Sequence, residues 1–368
     1  MKIAAVGSTK NYPSIAFQAK IFDGHAHLGK IGGTDYNISN LDKFVKSPLN
    51  IKVDDVKSID TIDKMVVSSG YAIIGEADEI AGNEKVLEMI KGRKEYVPIA
   101  VCQPNRTNGD TSKIKQLLEK HPEFSGLKFH PTYLTMDNEA KYIDAYLPYM
   151  KLAEEKKYPC FFHCQGGQAD AYKIYELAKK TPKVPVILGH AGALEGDTKI
   201  NREHAIEVFE KSLKNKDANI HLDLSWVDWT TDGYPQRNQV DATRILRIAK
   251  EHNATDKILF GTDAPMGCFS ESKFNNKQCY EETVGSFKQT IKFVFGKDSA
   301  KVTDQIFYDN ANRLYCKKSP VKPINPWLKK GGIAAAVAAV GFGIYEACKI
   351  ANQDNNSKIG KKVKARIK

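Results

Sequence analysis

An α/β chain built around a TIM-type (β/α)8 barrel is what this sequence predicts, and three observations carry that expectation. Eight short apolar runs rich in β-branched and aromatic residues recur between residues 20 and 261. Helical patterns, with apolar residues three and four apart, lie between them. No Gly-x-Gly-x-x-Gly turn follows the first run, where the chain instead reads Gly24-His25-Ala26-His27, so the marker of a dinucleotide-binding open sheet is missing. Strands alternating with helices imply right-handed crossovers and a parallel sheet. Eight such units fill a barrel of roughly 250 residues.

In chain order, the expected strands are 20–23, 64–68, 96–102, 126–130, 159–163, 185–189, 220–225 and 258–261. Helical spacing covers 83–90, 111–119, 144–156, 169–180, 202–213 and 240–252, and a last helix is expected over 303–315. Residues 1–19 read as a lead-in, because Gly7 and Lys10 interrupt an apolar run too weak for a secretion signal. The barrel domain then occupies 20–316. Lys317, Lys318, Pro320, Pro323 and Pro326 follow; prolines lack an amide donor and fix the backbone, which marks 317–330 as a linker. An apolar helix is expected over 331–349 and a basic polar tail over 350–368.

The net charge of +11 is unevenly placed. Twelve basic and two acidic residues lie after Cys316, so the tail carries +10 and the first 316 residues only +1. A near-neutral barrel offers no general attraction to a polyanion, which argues against nucleic acid as a partner. Seven cysteines, an odd number without a Cys-x-x-Cys pair, fit a reducing compartment and hence the cytoplasm.

Barrel enzymes gather their working side chains at the C-terminal ends of the strands. Five of the nine histidines fall there, namely His25, His27, His130, His163 and His190, together with Asp23 and Asp263. Residues two apart on a strand face the same way, so His25 and His27 can address one ion. Imidazole nitrogens suit zinc and related divalent ions, and a carboxylate oxygen from Asp263 completes an open site with room for water. The segment SWVDWTTDGYPQRN after the seventh strand brings Trp226, Trp229, Tyr234 and Arg237 to the same face. Such a loop is suited to a flat or carboxylated small-molecule substrate. Cys160 and Cys164 flank His163 and read as packing residues.

The pieces IFDGHAHLG, GLKFHP, PCFFHC, PVILGHAG, ILFGTDAP and DNANRLY, in this order over roughly residues 20 to 316, make a chain that resembles the amidohydrolase superfamily. The resemblance is to its branch of metal-dependent hydrolases, which also holds decarboxylases and lactonases. It implies one metal held by His25, His27, His163 and Asp263, with His190 orienting the attacking water or binding a second ion. It also implies that Asp263 carries the water's proton to the leaving group. Lys128 admits two functional readings. Carboxylated, it would bridge two metals; as a free ammonium, the reading favoured here, it grips a substrate carboxylate with His130 beside it. A plain pairing with a barrel acid such as Asp223 is the third.

The function implied is hydrolysis of a C–N or ester-like bond in a small carboxylated or cyclic substrate. A non-oxidative decarboxylase or lactonase would use the same ligands. A TatD-like nuclease fits less well, since that branch carries a glutamate where this chain has GLKFHP. A catalytically inactive, membrane-tethered binding protein is the remaining alternative, and the complete ligand set argues against it.

Residues 331–348 would span about 27 Å as a helix, just short of the ~30 Å hydrocarbon core of a bilayer. Ile333, Val337, Val340 and Ile344 form one stripe, Ala335, Ala339 and Gly343 a row of small residues, and Lys329, Lys330 and Lys349 flank them. Lysines near an anionic surface add about 1 kcal/mol each to partitioning. Full-length protein is therefore expected in the membrane fraction of expressing cells, with high-salt washing releasing it if the helix lies on the surface. A version ending at Tyr315 should stay in the supernatant. Wholly soluble full-length protein would assign the helix to protein contact.

Overall fold

The computed structural model describes residues 19–316 except 32–33, 46, 55, 74–76, 131–138, 165–168, 193–197, 228–239 and 265–275. The chain divides into two compact units, 1–317 and 318–368. The expectations for residues 1–18, the linker, the apolar helix and the basic tail lie outside the described residues, as do those for Trp229, Tyr234 and Arg237. Among the described residues, no helix is long and apolar enough to cross a membrane.

All eight expected strands are present. In chain order the strands are β1 (Lys20–Ile31), β2 (Thr34–Tyr36), β3 (Pro48–Val53), β4 (Val56–Ser69), β5 (Tyr96–Pro98), β6 (Ala100–Cys102), β7 (Leu127–Phe129), β8 (Cys160–Phe162), β9 (Val186–Leu188), β10 (Ile220–Asp223) and β11 (Ile258–Leu259). One sheet runs β2-β1-β4-β3 with β5 also on β4, and a second runs β11-β10-β9-β8-β7-β6. The pairs β1–β4 and β4–β5 and all pairs of the second sheet are parallel. β5 and β6 are two halves of the single strand expected at 96–102. At their junction the Ile99 N–H goes to Val67 O and the Ala100 N–H to Gly126 O, so neighbouring amides serve strands on opposite sides. At the far edge, Gly24 N–H donates to Phe260 O at 2.9 Å and His27 N–H to Ala264 O at 2.6 Å.

The six expected helices appear as Glu79–Met89, Ser112–Lys120, Glu139–Lys156, Ala171–Lys179, Thr198–Asn215 and Val240–Glu251. The last expected helix is split by a π turn at Gln305–Asp309. A long helix, Asn276–Phe295, has no counterpart among the expected elements. Neither has the β3–β4 hairpin, which is antiparallel. In β3 only Leu49 and Ile51 are buried, an alternating pattern that a search for continuous apolar runs passes over.

Alternate residues of the strands feed two cores. Phe22, Val66, Val97, Phe161, Ile187 and Leu259 meet Tyr315 in one buried cluster, while their neighbours Ile21, Met65, Phe162, Leu188 and Ile258 join the larger one that includes the helices. This is the alternation of a sheet covered on both faces. Asp23, fully buried, ties β1 to the segment after β11 and to the helix at 276–295. Its carboxylate accepts from His25 N–H (3.1 Å), Thr262 N–H (3.0 Å), Thr262 Oγ1 (2.5 Å) and Tyr280 OH (2.8 Å).

Gly261, just past β11, is required by close approach: a Cβ there would lie 2.2 Å from Asp223 Oδ1 and 2.9 Å from His25 Cβ. Both neighbours are held by other hydrogen bonds and cannot yield. Gly261→Ala is therefore expected to cost about 1–3 kcal/mol as an overpacking change. The midpoint of denaturant unfolding checks this, and an unchanged midpoint would refute the packing account.

Candidate active site

The strands deliver the expected residues to one place. His25 and His27 lie within β1, two apart, with Lys128 on β7; His130, His163, His190 and Asp263 follow β7, β8, β9 and β11. Four non-glycine residues just after the last strands adopt left-handed backbone: His190 (φ 58°), Ala191 (φ 43°), Trp226 (φ 57°) and Asp263 (φ 58°). Residues other than glycine rarely do so, and such conformations persist only where the surroundings enforce them.

The outer atoms of the histidines are tied first. His25 Nδ1 lies 3.0 Å from Asp223 Oδ2 and 3.1 Å from Ser225 Oγ, and His190 Nδ1 lies 2.9 Å from the same Ser225 Oγ. Ser225 has one proton, which goes to Asp223 in a short bond, so its oxygen accepts from both imidazoles. That fixes N–H on Nδ1 of His25 and His190 and leaves each Nε2 with a lone pair. Lys128 supports the assignment for His25: its ammonium, a donor only, lies 2.9 Å from His25 Nε2. His27 is held the other way round: its Nε2–H donates to Asp263 Oδ1 at 2.9 Å, and its Nδ1 accepts from Ser68 Oγ at 2.8 Å.

The inner atoms converge on Asp263. Its Oδ1 lies 2.9 Å from His27 Nε2 and 3.2 Å from His25 Nε2. His25, His190 and Asp263 each offer a ligand atom, all within 4.8 Å of one another. His163 adjoins this group, its Nδ1 3.1 Å from His190 Nε2. Its Nε2 is buried without a hydrogen-bond partner among the described residues. An ionised Asp263 oxygen facing two imidazole nitrogens, and an orphaned buried imidazole nitrogen nearby, are what a divalent cation would satisfy. The donor set therefore fits the implied metal. His130 is half-buried with its ring 4.0 Å from that of His163.

Burial dominates the electrostatics. It pushes His25, His27, His130 and His163 below the ordinary imidazole value, and carries His190 down to about 3. It lowers Lys128 to about 8 against the pull of Asp263 and Asp223. It raises Asp223 to about 7 and Asp23 to about 6 against their hydrogen bonds. Asp263 is the exception. Burial works to raise it, yet His190, His27 and Lys128 together hold it near 2. The site thus sets imidazoles of low basicity around one carboxylate that stays ionised.

A family model for amidohydrolases matches residues 65–316, more than half the chain. The chain belongs to the amidohydrolase family. Its fold is shared with an amidohydrolase from Burkholderia multivorans with bound HEPES, at a TM-score of 0.56 and 13% identity over 81% of this chain and 99% of that one. A second crystal form of that protein, with bound zinc, gives 0.56 and 11% over the same shares. A probable 2-pyrone-4,6-dicarboxylic acid hydrolase from Acinetobacter baumannii, with citric acid bound, gives 0.50 and 17% over 80% of this chain and 98% of that one. No curated protein matches the chain significantly.

In this amidohydrolase, sequence reasoning passed over Ser68, Ser225, Thr262 and Tyr280. Asp223 entered it only as a partner for Lys128. The one available signal was spacing: Ser225 stands two residues beyond Asp223, on the same side as a strand residue would be. Trp226, expected to face substrate, directs its indole N–H to Asp263 Oδ2 at 2.6 Å.

Ser225→Ala removes the shared acceptor of two Nδ1–H groups. Zinc affinity is expected to fall about 10–100-fold, the usual cost of losing an outer partner of a ligating histidine. Calorimetric titration of the metal-free protein checks this; affinity within twofold of wild type would refute the orienting role.

Proposed function

We propose that this amidohydrolase is a metal-dependent hydrolase on a closed (β/α)8 barrel. It would use activated water on a C–N or ester-like bond of a small carboxylated or cyclic substrate. The observation that supports it most is the His25–His190–Asp263 group, buried at the C-terminal ends of the strands. The handover at Ile99–Ala100 and the bonds from Gly24 and His27 to the segment after β11 support barrel closure. Zinc is the proposed ion, because two or more imidazoles and one carboxylate suit it. One of the Burkholderia structures is described with zinc.

An ion held here supplies Lewis acidity and brings the pKa of a water from near 16 to about 7. The residues of the chain do the rest. His25, His190 and Asp263 hold the ion, with His27 and His163 completing the ring of nitrogens. Asp263, kept ionised, would accept the water's proton and return it to the leaving group. Lys128, buried over the Phe161 ring at 4.1 Å, meets a substrate carboxylate as a free ammonium, with His130 beside it. Carboxylation of Lys128, which would call for a second ion, fits less well with the contact it makes to His25. The enzyme is proposed to work in the cytoplasm, with 331–349 as its membrane-associating segment.

Zinc-reconstituted protein assayed against cyclic and open-chain carboxylated esters and amides, 2-pyrone-4,6-dicarboxylate among them, tests the reading. Asp263→Asn is expected to lower kcat at least about a hundredfold with the fold intact. Turnover within threefold of wild type would refute the proton-carrier role, and wild-type protein that takes up no divalent ion would refute the metal.

A further inference from the structure

We propose that Trp226 is a positioning residue that keeps Asp263 a one-oxygen ligand and so biases the site toward zinc; this rests on the metal-dependent reading above. The indole nitrogen is a donor only, and it meets Asp263 Oδ2 at 2.6 Å. The other carboxylate oxygen, Oδ1, faces His27 Nε2 and His25 Nε2 at 2.9 and 3.2 Å. The two oxygens of one carboxylate are thereby assigned different work: Oδ2 is engaged by a charge-assisted hydrogen bond, and Oδ1 is left to the ligand group.

The backbone holds this arrangement from both ends. Trp226 and Asp263 are each in the left-handed region, at φ 57° and 58°. Val227 N–H closes the turn onto Leu224 O at 3.2 Å, and Arg202 Nη2 donates to Trp226 O at 3.5 Å. The residue before, Ser225, fixes His25 and His190. One turn after β10 therefore addresses all three members of the His25–His190–Asp263 group from outside.

The chemical consequence concerns coordination number. With Oδ2 engaged, Asp263 contributes a single bond, in keeping with the four-coordinate, partly open geometry of catalytic zinc. With the indole N–H gone, the carboxylate is free to chelate through both oxygens. Ions with six or more oxygen-rich ligands, manganese among them, accept that mode more readily than zinc.

Trp226→Phe keeps an aromatic ring and removes only the donor. In the full-length protein, zinc affinity measured by competition with a chelator is expected to fall about 10–100-fold. Manganese affinity should fall less, so that the preference for zinc narrows by at least about fivefold. In the cobalt-substituted protein the visible absorption should weaken as the coordination number rises. Zinc affinity within twofold of wild type with an unchanged cobalt spectrum would overturn the proposal. If wild-type protein takes up no divalent ion, the metal reading itself fails; if it binds zinc and the Phe variant binds it identically, only the role of Trp226 fails. Should the variant not fold, the Trp226 indole N–H of zinc-loaded wild type decides by NMR. A downfield, exchange-protected resonance is expected, and an unshifted, rapidly exchanging one would overturn the assignment.

Discussion

Burying Asp23, Lys128, Asp223 and Asp263 at the ends of parallel strands sets the terms for everything around them. A charge removed from water must be neutralised, hydrogen-bonded or paired, since it costs several kcal/mol if left alone. Asp23 is bonded four times and becomes a brace between β1 and the segment after β11. Asp223 takes protons from Ser225 and the backbone and becomes the anchor of two imidazoles. Asp263 alone is surrounded by nitrogens and stays strongly ionised. The three aspartates share a residue type and a burial, and their partners divide them into brace, anchor and candidate ligand.

Much of this was legible in the sequence, for identifiable reasons. β8, β9 and β11 are buried on both faces, so they read as short continuous apolar runs. Histidine is scarce enough that five at strand ends stand out, and the Gly-Thr-Asp ending at Asp263 does too. The β3–β4 hairpin was not legible, because its alternation of Leu49 and Ile51 with exposed residues lies outside the repeating strand-helix period. Ser68, Ser225, Thr262 and Tyr280 were not legible either. Serine, threonine and tyrosine are common everywhere, and their work here depends on contacts with residues up to 257 positions away, as between Tyr280 and Asp23. Trp226 was noticed as an aromatic of the mouth, while its indole N–H found a carboxylate after the neighbouring strand.

The two cores separate duties along each strand. Residues pointing toward the helices, such as Ile21, Phe162 and Leu188, supply apolar burial. Residues pointing the other way begin as apolar packing with Phe22, Phe161 and Ile187 and end as polar chemistry. Phe161 marks the changeover, because it lies in the inner cluster yet carries Lys128 at 4.1 Å and His25 at 4.3 Å on its ring. Changes below that ring act on stability first, and changes above it act on the site.

The seam between β1 and the end of β11 has a kinetic meaning. Gly24 and Phe260 stand more than two hundred residues apart in the chain, so closing their hydrogen bond carries one of the largest loop entropies of the domain. Contacts of such long range are among the slowest to form. His25 meets Asp223 and Asp263 across this same seam, so the proposed ligand group does not exist until β1 meets the segments after β10 and β11. An ion shared by His25 and Asp263 would bind only the finished chain, and its binding energy would add directly to the stability of the closed state.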